Sequence, residues 1–264
     1  MEPTLAGVVD SYLDLGAFYD RRGLVEHKEE IQTAFDYRLR YKRAGRCLGA
    51  AAQLLEDDRA LLLTPALEEK ARKRVKGILS REVKHRRSDR VGREKTRYLS
   101  AVTCQGTVLH WETVDGICRR VYELADSWGL AEGMLRALAQ GCRAAGHDVI
   151  CCPHPLLPER LEHVLVPELS LAFVTGTPEH PYPSRPYRRI RVDAMAEEEL
   201  VRANRARLKF SRQVGTALLE EGVEALAAAK ARHDELEALY HPYVDFSAVE
   251  QAAVRIADEL LHGC

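Results

Sequence analysis

The stretch that decides the fold is Arg120–Leu138, RVYELADSWGLAEGMLRAL. It begins with an apolar, strand-like run, turns at Gly129, and continues with apolar residues at helical spacing. Strand, glycine turn and helix in this order form the layout in which backbone N–H groups at a helix N-terminus hold phosphate. The Lys-Ser/Thr pair that completes such a loop is missing, because Glu132 and Gly133 occupy its place. The stretch therefore indicates the ancestry of a phosphate-binding loop more firmly than it indicates an activity.

The composition of the whole chain limits the classes of protein to which it can belong. Its 264 residues are 46% hydrophobic and 30% charged, which is typical of a globular protein with a sizeable core. The formal net charge of -1 provides no overall attraction to nucleic acid or to an anionic membrane. No apolar run approaches the roughly 20 residues that span a bilayer, and the acidic start MEPTLAGVVDSYLD lacks the apolar core of a signal peptide. We therefore expect a cytoplasmic protein with no membrane partner.

The seven cysteines form no C-x-x-C pair and show no metal-finger spacing. An odd number without a secretion signal favours reduced thiols. Cys151 and Cys152 are adjacent in a strand-like run, so they are expected to face opposite sides of a sheet. With His147, His154 and His163 they are candidate zinc ligands by chemistry, but their spacing fits no closed tetrahedral site. The sequence therefore predicts buried structural cysteines and no metal.

The periodicity of the chain divides it into four segments. Residues 1–80 are predicted to be helical with a break at Pro65, and the basic residues 81–99 are typical of an exposed linker. Residues 100–194 are predicted to form an α/β core with a short hairpin around Cys104-Gln105-Gly106. Short strand–helix–strand connections favour a parallel sheet there. Residues 195–264 are predicted to form a C-terminal helical hairpin with a break near His241-Pro242.

The two helical ends of the chain resemble each other in sequence. The matching pairs are Gly49–Gln53 with Leu226–Lys230, Asp57 with Asp234, Leu62 with Leu239, and Pro65 with Pro242. A constant offset over several positions indicates an internal duplication. In such a duplication the α/β core belongs to the second copy, and the first copy lacks its own.

Several short motifs along the chain support this arrangement. They are Gly7-Val8-Val9-Asp10, Leu15–Asp20, Ser100–Gly106, Val166–Leu169, Phe173–His180, Lys230–Glu237 and Asp245-Phe246. These motifs resemble a family of bacterial P-loop ATPase-like proteins with two tandem NTPase halves, each an α/β nucleotide-binding core followed by a helical hairpin. The resemblance runs from the end of the first half through the whole second half. It implies a P-loop NTPase-like fold, ATP and magnesium as the family's cofactors, and a remnant of the first half in residues 1–80.

The departures from that family bear directly on activity. Its second P-loop, G-x-x-G-x-G-K-S/T, falls on Asp126, Ser127, Trp128, Gly129, Leu130, Ala131, Glu132 and Gly133. The carboxylate of Glu132 at the lysine position reverses an attraction worth about 4 kcal/mol at 4 Å and an effective dielectric near 20. Gly133 lacks the hydroxyl that binds magnesium, and Thr175 stands at the acidic position after the later strand. We therefore expect no cofactor and no conventional ATP hydrolysis.

Three functions follow from these observations. The first is a non-hydrolysing P-loop NTPase-related protein that associates with a second copy of itself or with a separate NTPase half. The second is an ATPase or nucleotide kinase-like enzyme with a rearranged phosphate site, in which Arg185 and Arg188 supply cations and Asp234 acts on phosphate. The third is a nucleic-acid-binding module that uses the basic linker, with stacking residues Tyr98, Tyr182 and Tyr187. An upstream reading frame with an intact motif would make the chain part of a longer two-half protein.

Overall fold

The structure, a computed structural model, describes residues 12–35, 37–84 and 90–262. The helices are α1 (Arg21–Glu26), α2 (Lys28–Ala34), α3 (Tyr37–Leu62), α4 (Pro65–Glu82), α5 (Trp111–Ile117), α6 (Glu132–Ala144), α7 (Glu198–Ala203), α8 (Arg205–Tyr240) and α9 (Phe246–His262). The strands are β1 (Glu94–Thr96), β2 (Ser100–Thr103), β3 (Gly106–Leu109), β4 (Arg120–Ala125), β5 (Val149–His154), β6 (Leu157–Val166), β7 (Leu171–Gly176) and β8 (Arg188–Arg191). The prediction of an α/β chain with helical ends is confirmed.

The chain divides into two compact units. The larger unit is Tyr41–Ala227, and the smaller unit combines the described residues before position 41 with those after position 227. The larger unit holds the sheets and the helices around them. In the smaller unit, Asp20 caps α1 by accepting N–H groups of Arg22 and Gly23, and Tyr19 forms a β-bridge with Val244. Within the described residues, no helix has the length and apolar character needed to cross a bilayer.

Two helix boundaries of the larger unit follow from local sequence. α4 begins at Pro65, whose missing N–H costs nothing at the first helical position, and the hydroxyl of Thr64 accepts the N–H of Leu67 at 3.3 Å. α6 ends before Gly146, which has a φ of +90° that favours glycine. The N–H of His147 returns to the carbonyl of Cys142 at 3.0 Å and completes the C-cap.

The main sheet has six strands in the order β1-β5-β6-β7-β4-β8. Pairing is parallel except on both sides of β6, which runs antiparallel to β5 and β7. The sheet is therefore mixed, and the prediction of a parallel sheet is wrong at β6. The physical reason is the two-residue connection Pro155-Leu156, because a turn this short joins only antiparallel neighbours. The separate β2–β3 hairpin is confirmed.

The first strand of the main sheet lies inside the segment predicted as a linker. β1 pairs in parallel with β5, and Asp148 at the start of β5 accepts the backbone N–H of Arg93 at 2.8 Å. Asp148 also binds the guanidinium groups of Arg90 and Arg93. The pKa of Asp148 is lowered to about 2, mainly by the backbone N–H of Arg93. The guanidinium groups of Arg90 and Arg93 contribute to this lowering, whereas partial burial acts to raise the pKa. Arg90 and Arg93 of the basic segment thus stabilise the sheet where β1 pairs with β5.

The core of the larger unit covers both faces of the main sheet. On one face, α6 and α4 pack with buried leucines such as Leu135 and Leu138, each worth about 2 kcal/mol when fully buried. On the other face, α5 and the loop after β7 pack with Val114 and other apolar residues. Cys151 belongs to the first face and Cys152 to the second, which confirms the prediction from their adjacency. Burial raises the pKa of Cys152 to about 12, as expected for a structural thiol.

Candidate functional site

The loop between β4 and α6 folds around its own carboxylate. Asp126 accepts backbone N–H groups from Trp128 at 3.2 Å, Leu130 at 2.9 Å and Ala131 at 2.7 Å. All three donors belong to the loop that leads into α6, which begins at Glu132. An aspartate side chain of this chain therefore satisfies the backbone N–H groups of that loop.

The conformation of this loop is fixed from two sides. Gly129 has a φ of +68°, a backbone conformation that favours glycine, and it lets the chain turn back over Asp126. Ser127 donates its N–H at 2.8 Å and its hydroxyl at 2.7 Å to the carboxylate of Asp193, which follows β8. Burial, with the neighbouring Asp193 carboxylate, raises the pKa of Asp126 against the opposing effect of its three N–H donors. The loop is closed, buried and rich in carboxyl groups.

The arginines around the loop are held by carboxylates or carbonyls. Arg59 donates to the carbonyl of Gly129 at 3.1 Å and lies 3.4 Å from Glu132. Arg136 lies 2.7 Å from the other oxygen of Glu132, and Arg160 pairs with Glu56 on α3. Glu132 stands in the first turn of α6, where its negative charge complements the helix dipole. These pairs reduce the positive charge that the loop presents to an anion.

A second polar cluster lies at a bulge in β6. The register between β5 and β6 shifts at Cys152 and Pro153, so that Glu162 is the extra residue on β6. The Glu162 carboxylate accepts the hydroxyl of the buried Ser100. It also lies 3.1 Å from Nε2 of His163, whose Nδ1 accepts the N–H of Thr175 at 3.2 Å. Nε2 of His163 is buried and, although it lies near this carboxylate, it has no hydrogen-bond partner in the described structure.

The charge state of this cluster follows from its contacts. Burial acts to raise the pKa of Glu162, but His163, His154 and the Ser100 hydroxyl together outweigh it and bring the pKa to about 2. Burial lowers the pKa of His154, with the Glu162 charge acting in the opposite direction. Glu162 is therefore a carboxylate at neutral pH. Its second oxygen, Oε1, lies 4.0 Å from Nε2 of His154, which is too long for a hydrogen bond.

Both features border one cleft of about 380 Å³ in the larger unit, which we name the acidic cleft. Its walls come from α3, the β2–β3 hairpin, the loop after β4, the β5–β6 turn, the carboxyl end of β7 and α8. Ligands of α/β proteins commonly bind at the carboxyl ends of parallel strands. The volume falls within the range of about 300–1,000 Å³ that is typical of small-molecule sites.

The structure brings together only part of the predicted set. Asp126, Ser127, Gly129, Glu132 and Thr175 line a small pocket of about 90 Å³ that adjoins the acidic cleft. The hydroxyl of Thr175 donates to the carbonyl of Glu162 at 3.0 Å. The other three lie elsewhere. Gly133 faces α4 across a separate pocket, and Arg185 and Arg188 are exposed and line neither the small pocket nor the cleft.

The residues proposed for metal or nucleic-acid binding are dispersed or engaged. His147 faces the carbonyl of Lys84 and the carboxylate of Glu168, whereas His154 and His163 lie beside Glu162. Tyr182 is buried and bonded to Asp115, so it is not available for stacking on bases. Among the described residues, the one group with metal-compatible spacing is the exposed set His233, Asp234 and Glu237.

Sequence reasoning missed the polar residues that the cleft depends on. Asp58, Glu162 and Asp193 belong to no sequence motif that is associated with a binding or catalytic role. His163 is predicted from sequence only as a candidate zinc ligand, although the polar pair Glu162-His163 directly precedes the buried apolar run Val164–Val166. A charged residue next to such a run is a usable signal, because a buried charge requires a partner.

The fold and the site define an α/β protein with a mixed six-stranded sheet, a strand–turn–helix loop closed by its own aspartate, and an adjoining acidic cleft. Comparison of the chain with protein-family models, with curated protein sequences and with solved structures gives no match.

Proposed function

We propose that this protein is a non-hydrolysing relative of P-loop NTPases that acts through association with a second copy of itself. The observation that carries the first part is the Asp126 carboxyl group, which accepts three backbone N–H groups of the loop that leads into α6. A phosphate bound to the same N–H groups would have to displace this internal acceptor and leave the buried carboxyl group without partners. A buried polar group without partners costs about 1–3 kcal/mol.

The charges next to the loop oppose phosphate further. Glu132 and Glu162 both line the small pocket next to the loop. Two like charges 4 Å apart repel each other by about 4 kcal/mol at an effective dielectric near 20. The nearby arginines Arg59, Arg136 and Arg160 are already paired. The usual magnesium ligand is also lacking, because Gly133 has no hydroxyl and the hydroxyl of Ser127 is bonded to Asp193.

We expect ATP and GTP to produce no detectable heat of binding up to millimolar concentration, with or without magnesium. Isothermal titration calorimetry on the full chain tests this, with circular dichroism on the same sample to show that it is folded. A dissociation constant in the micromolar range would contradict the proposal. It would favour the ATPase or kinase-like alternative with a rearranged phosphate site.

The association role is supported by a surface of α9 in the smaller unit. Val254, Leu260 and Leu261 are 57%, 80% and 78% exposed, and with Ala253 and Ala257 they share one face of the helix. We name this face the α9 stripe. The opposite side of α9 packs inward through Ala252. The α9 stripe is about 120° wide, and helices commonly bury an apolar face of about this width against a partner.

A self-complementary helix face leads to a specific expectation for oligomeric state. We expect the chain to sediment as a dimer at micromolar concentration, because two α9 stripes can pair about a two-fold axis. Val254→Asp with Leu261→Asp should convert it to a monomer, whereas Arg255→Asp, on another face of α9, should not. A wild-type chain that is monomeric in analytical ultracentrifugation would refute self-association. A separate NTPase half would then be the partner to examine.

A further inference from the structure

The acidic cleft contains an acceptor that the protein itself leaves unused. Asp58 on α3 is only 5% exposed, and its Oδ1 is buried without a hydrogen-bond partner in the described structure. The hydroxyl of Ser211 on α8, a residue that is also 5% exposed, acts to lower the pKa of this carboxyl group against the larger, raising effect of burial. An unpaired buried carboxyl oxygen costs about 1–3 kcal/mol or more. Such a cost is expected where a ligand supplies the missing donor.

A second carboxyl group that lines the cleft, Glu162, also has an oxygen without a close donor. Its Oε2 accepts the hydroxyl of Ser100, while Oε1 lies 4.0 Å from Nε2 of His154, too far for a hydrogen bond. The described residues that line the cleft contribute four carboxyl groups, Asp58, Glu162, Glu179 and Glu220, against the single guanidinium of Arg212. The interior of the cleft therefore favours a cation with N–H donors and disfavours an anion.

The remaining walls of the cleft are apolar. Leu54 and Leu55 of α3 face Leu208 and Leu219 of α8, with Val102 and Trp128 on the side of the sheet. An apolar ligand body, about the size of an aromatic ring with a short chain, would bury its surface favourably against these walls. The indole of Trp128 can in addition attract a cation through its π face.

We propose that the acidic cleft binds a small organic amine, a protonated amino group on an apolar body, with Asp58 and Glu162 as acceptors. The ammonium group donates to Oδ1 of Asp58 and Oε1 of Glu162, and the apolar body packs between α3 and α8 beside Trp128. Burial raises the pKa of Asp58 in the free protein, so amine binding favours the ionised form of this carboxyl group. This site does not depend on whether the loop at Asp126 binds phosphate.

A pair of probes that differ in charge tests the ligand class. 4-Phenylbutylamine and 4-phenylbutyrate carry the same ring and chain length but opposite charges at pH 7. Isothermal titration calorimetry on the full chain should show the amine binding at least tenfold more tightly than the acid. Equal affinity, tighter binding of the acid, or binding of neither probe would overturn the proposal.

Neighbouring aspartates on α3 provide a matched pair of variants. Asp58→Asn removes the buried carboxylate and keeps the side-chain shape, so it should weaken amine binding about tenfold or more, the effect of losing one charged hydrogen bond. Asp57→Asn changes an exposed residue that pairs with Arg207 outside the cleft, and it should leave amine binding unchanged. Equal losses in the two variants would indicate only general charge attraction and would refute the site. Wild-type affinity in a folded Asp58→Asn would also refute it.

Discussion

Replacement of Asp126 by alanine lowers the free energy of unfolding by about 4 kcal/mol, the largest effect that we expect from a single change in the loop. The substitution removes the acceptor for three backbone N–H groups, two of which are buried. Each buried donor left without a partner costs about 1–3 kcal/mol, and water that enters the loop recovers part of this sum. Urea unfolding followed by circular dichroism measures the change, with the slope of the transition as a check on two-state behaviour.

Two comparisons separate the role of this carboxylate from general disruption of the loop. Asp126→Asn keeps one acceptor oxygen and should cost about 2 kcal/mol, roughly half the alanine effect. Phosphate or sulfate should raise the melting temperature of Asp126→Ala but not that of the wild type, because the N–H groups freed by the variant are an anion site. A fully stable Asp126→Ala, or a wild type that phosphate stabilises equally, would show that Asp126 does not fill such a site.

Glu162 gives the second large effect, and it depends on pH. Its pKa is lowered from 4.5 to about 2 in the folded chain. A carboxyl group whose folded-state pKa is depressed binds fewer protons in the folded state than in the unfolded state. Its stabilisation is therefore complete above about pH 4.5 and is lost as the pH falls toward 2. The depression corresponds to about 3 kcal/mol, an order-of-magnitude figure for a group coupled to two histidines.

The measurement is the stability of wild type and Glu162→Gln between pH 7 and pH 2.5. At pH 7 the variant should be less stable by about 3 kcal/mol, and the difference should shrink steadily below pH 4.5. Glu159→Gln changes an exposed glutamate on the same strand and serves as the control. A difference between wild type and Glu162→Gln that stays constant with pH would contradict the ionised state assigned to Glu162.

Local structure was predictable wherever short-range sequence decides it. The break at Pro65, the hairpin around Gly106 and the opposite orientation of Cys151 and Cys152 all depend on neighbouring residues. Each depends on a fixed φ, a missing N–H or the two-residue alternation of a strand. The prediction of a parallel sheet depended on the β4–α6–β5 connection alone, so it did not include the antiparallel pairing of β6. The hairpin that inverts β6 was overlooked.

The loop shows where prediction from sequence ends. The absence of lysine and hydroxyl at Glu132 and Gly133 is visible in the sequence. That Asp126 turns inward and accepts the N–H groups of its own loop is not visible, because it depends on the positive φ of Gly129 and on Asp193, 67 positions further along the chain. Aspartate before a helix is equally compatible with an exposed cap.

By itself, the sequence determined the helical ends, the α/β character of the middle segment, the strand–turn–helix loop and the absence of a Lys-Ser/Thr pair from that loop. Only the tertiary structure decided the position of the candidate ligand site, because Asp58 and Glu162 lie 104 positions apart and meet at one cleft. Their burial, and hence their charge and their unused acceptors, is set by packing between α3, α8 and the bulge in β6. Residues distant in sequence carry no local signal of a shared environment, and that environment is what turns two ordinary carboxyl groups into a binding site.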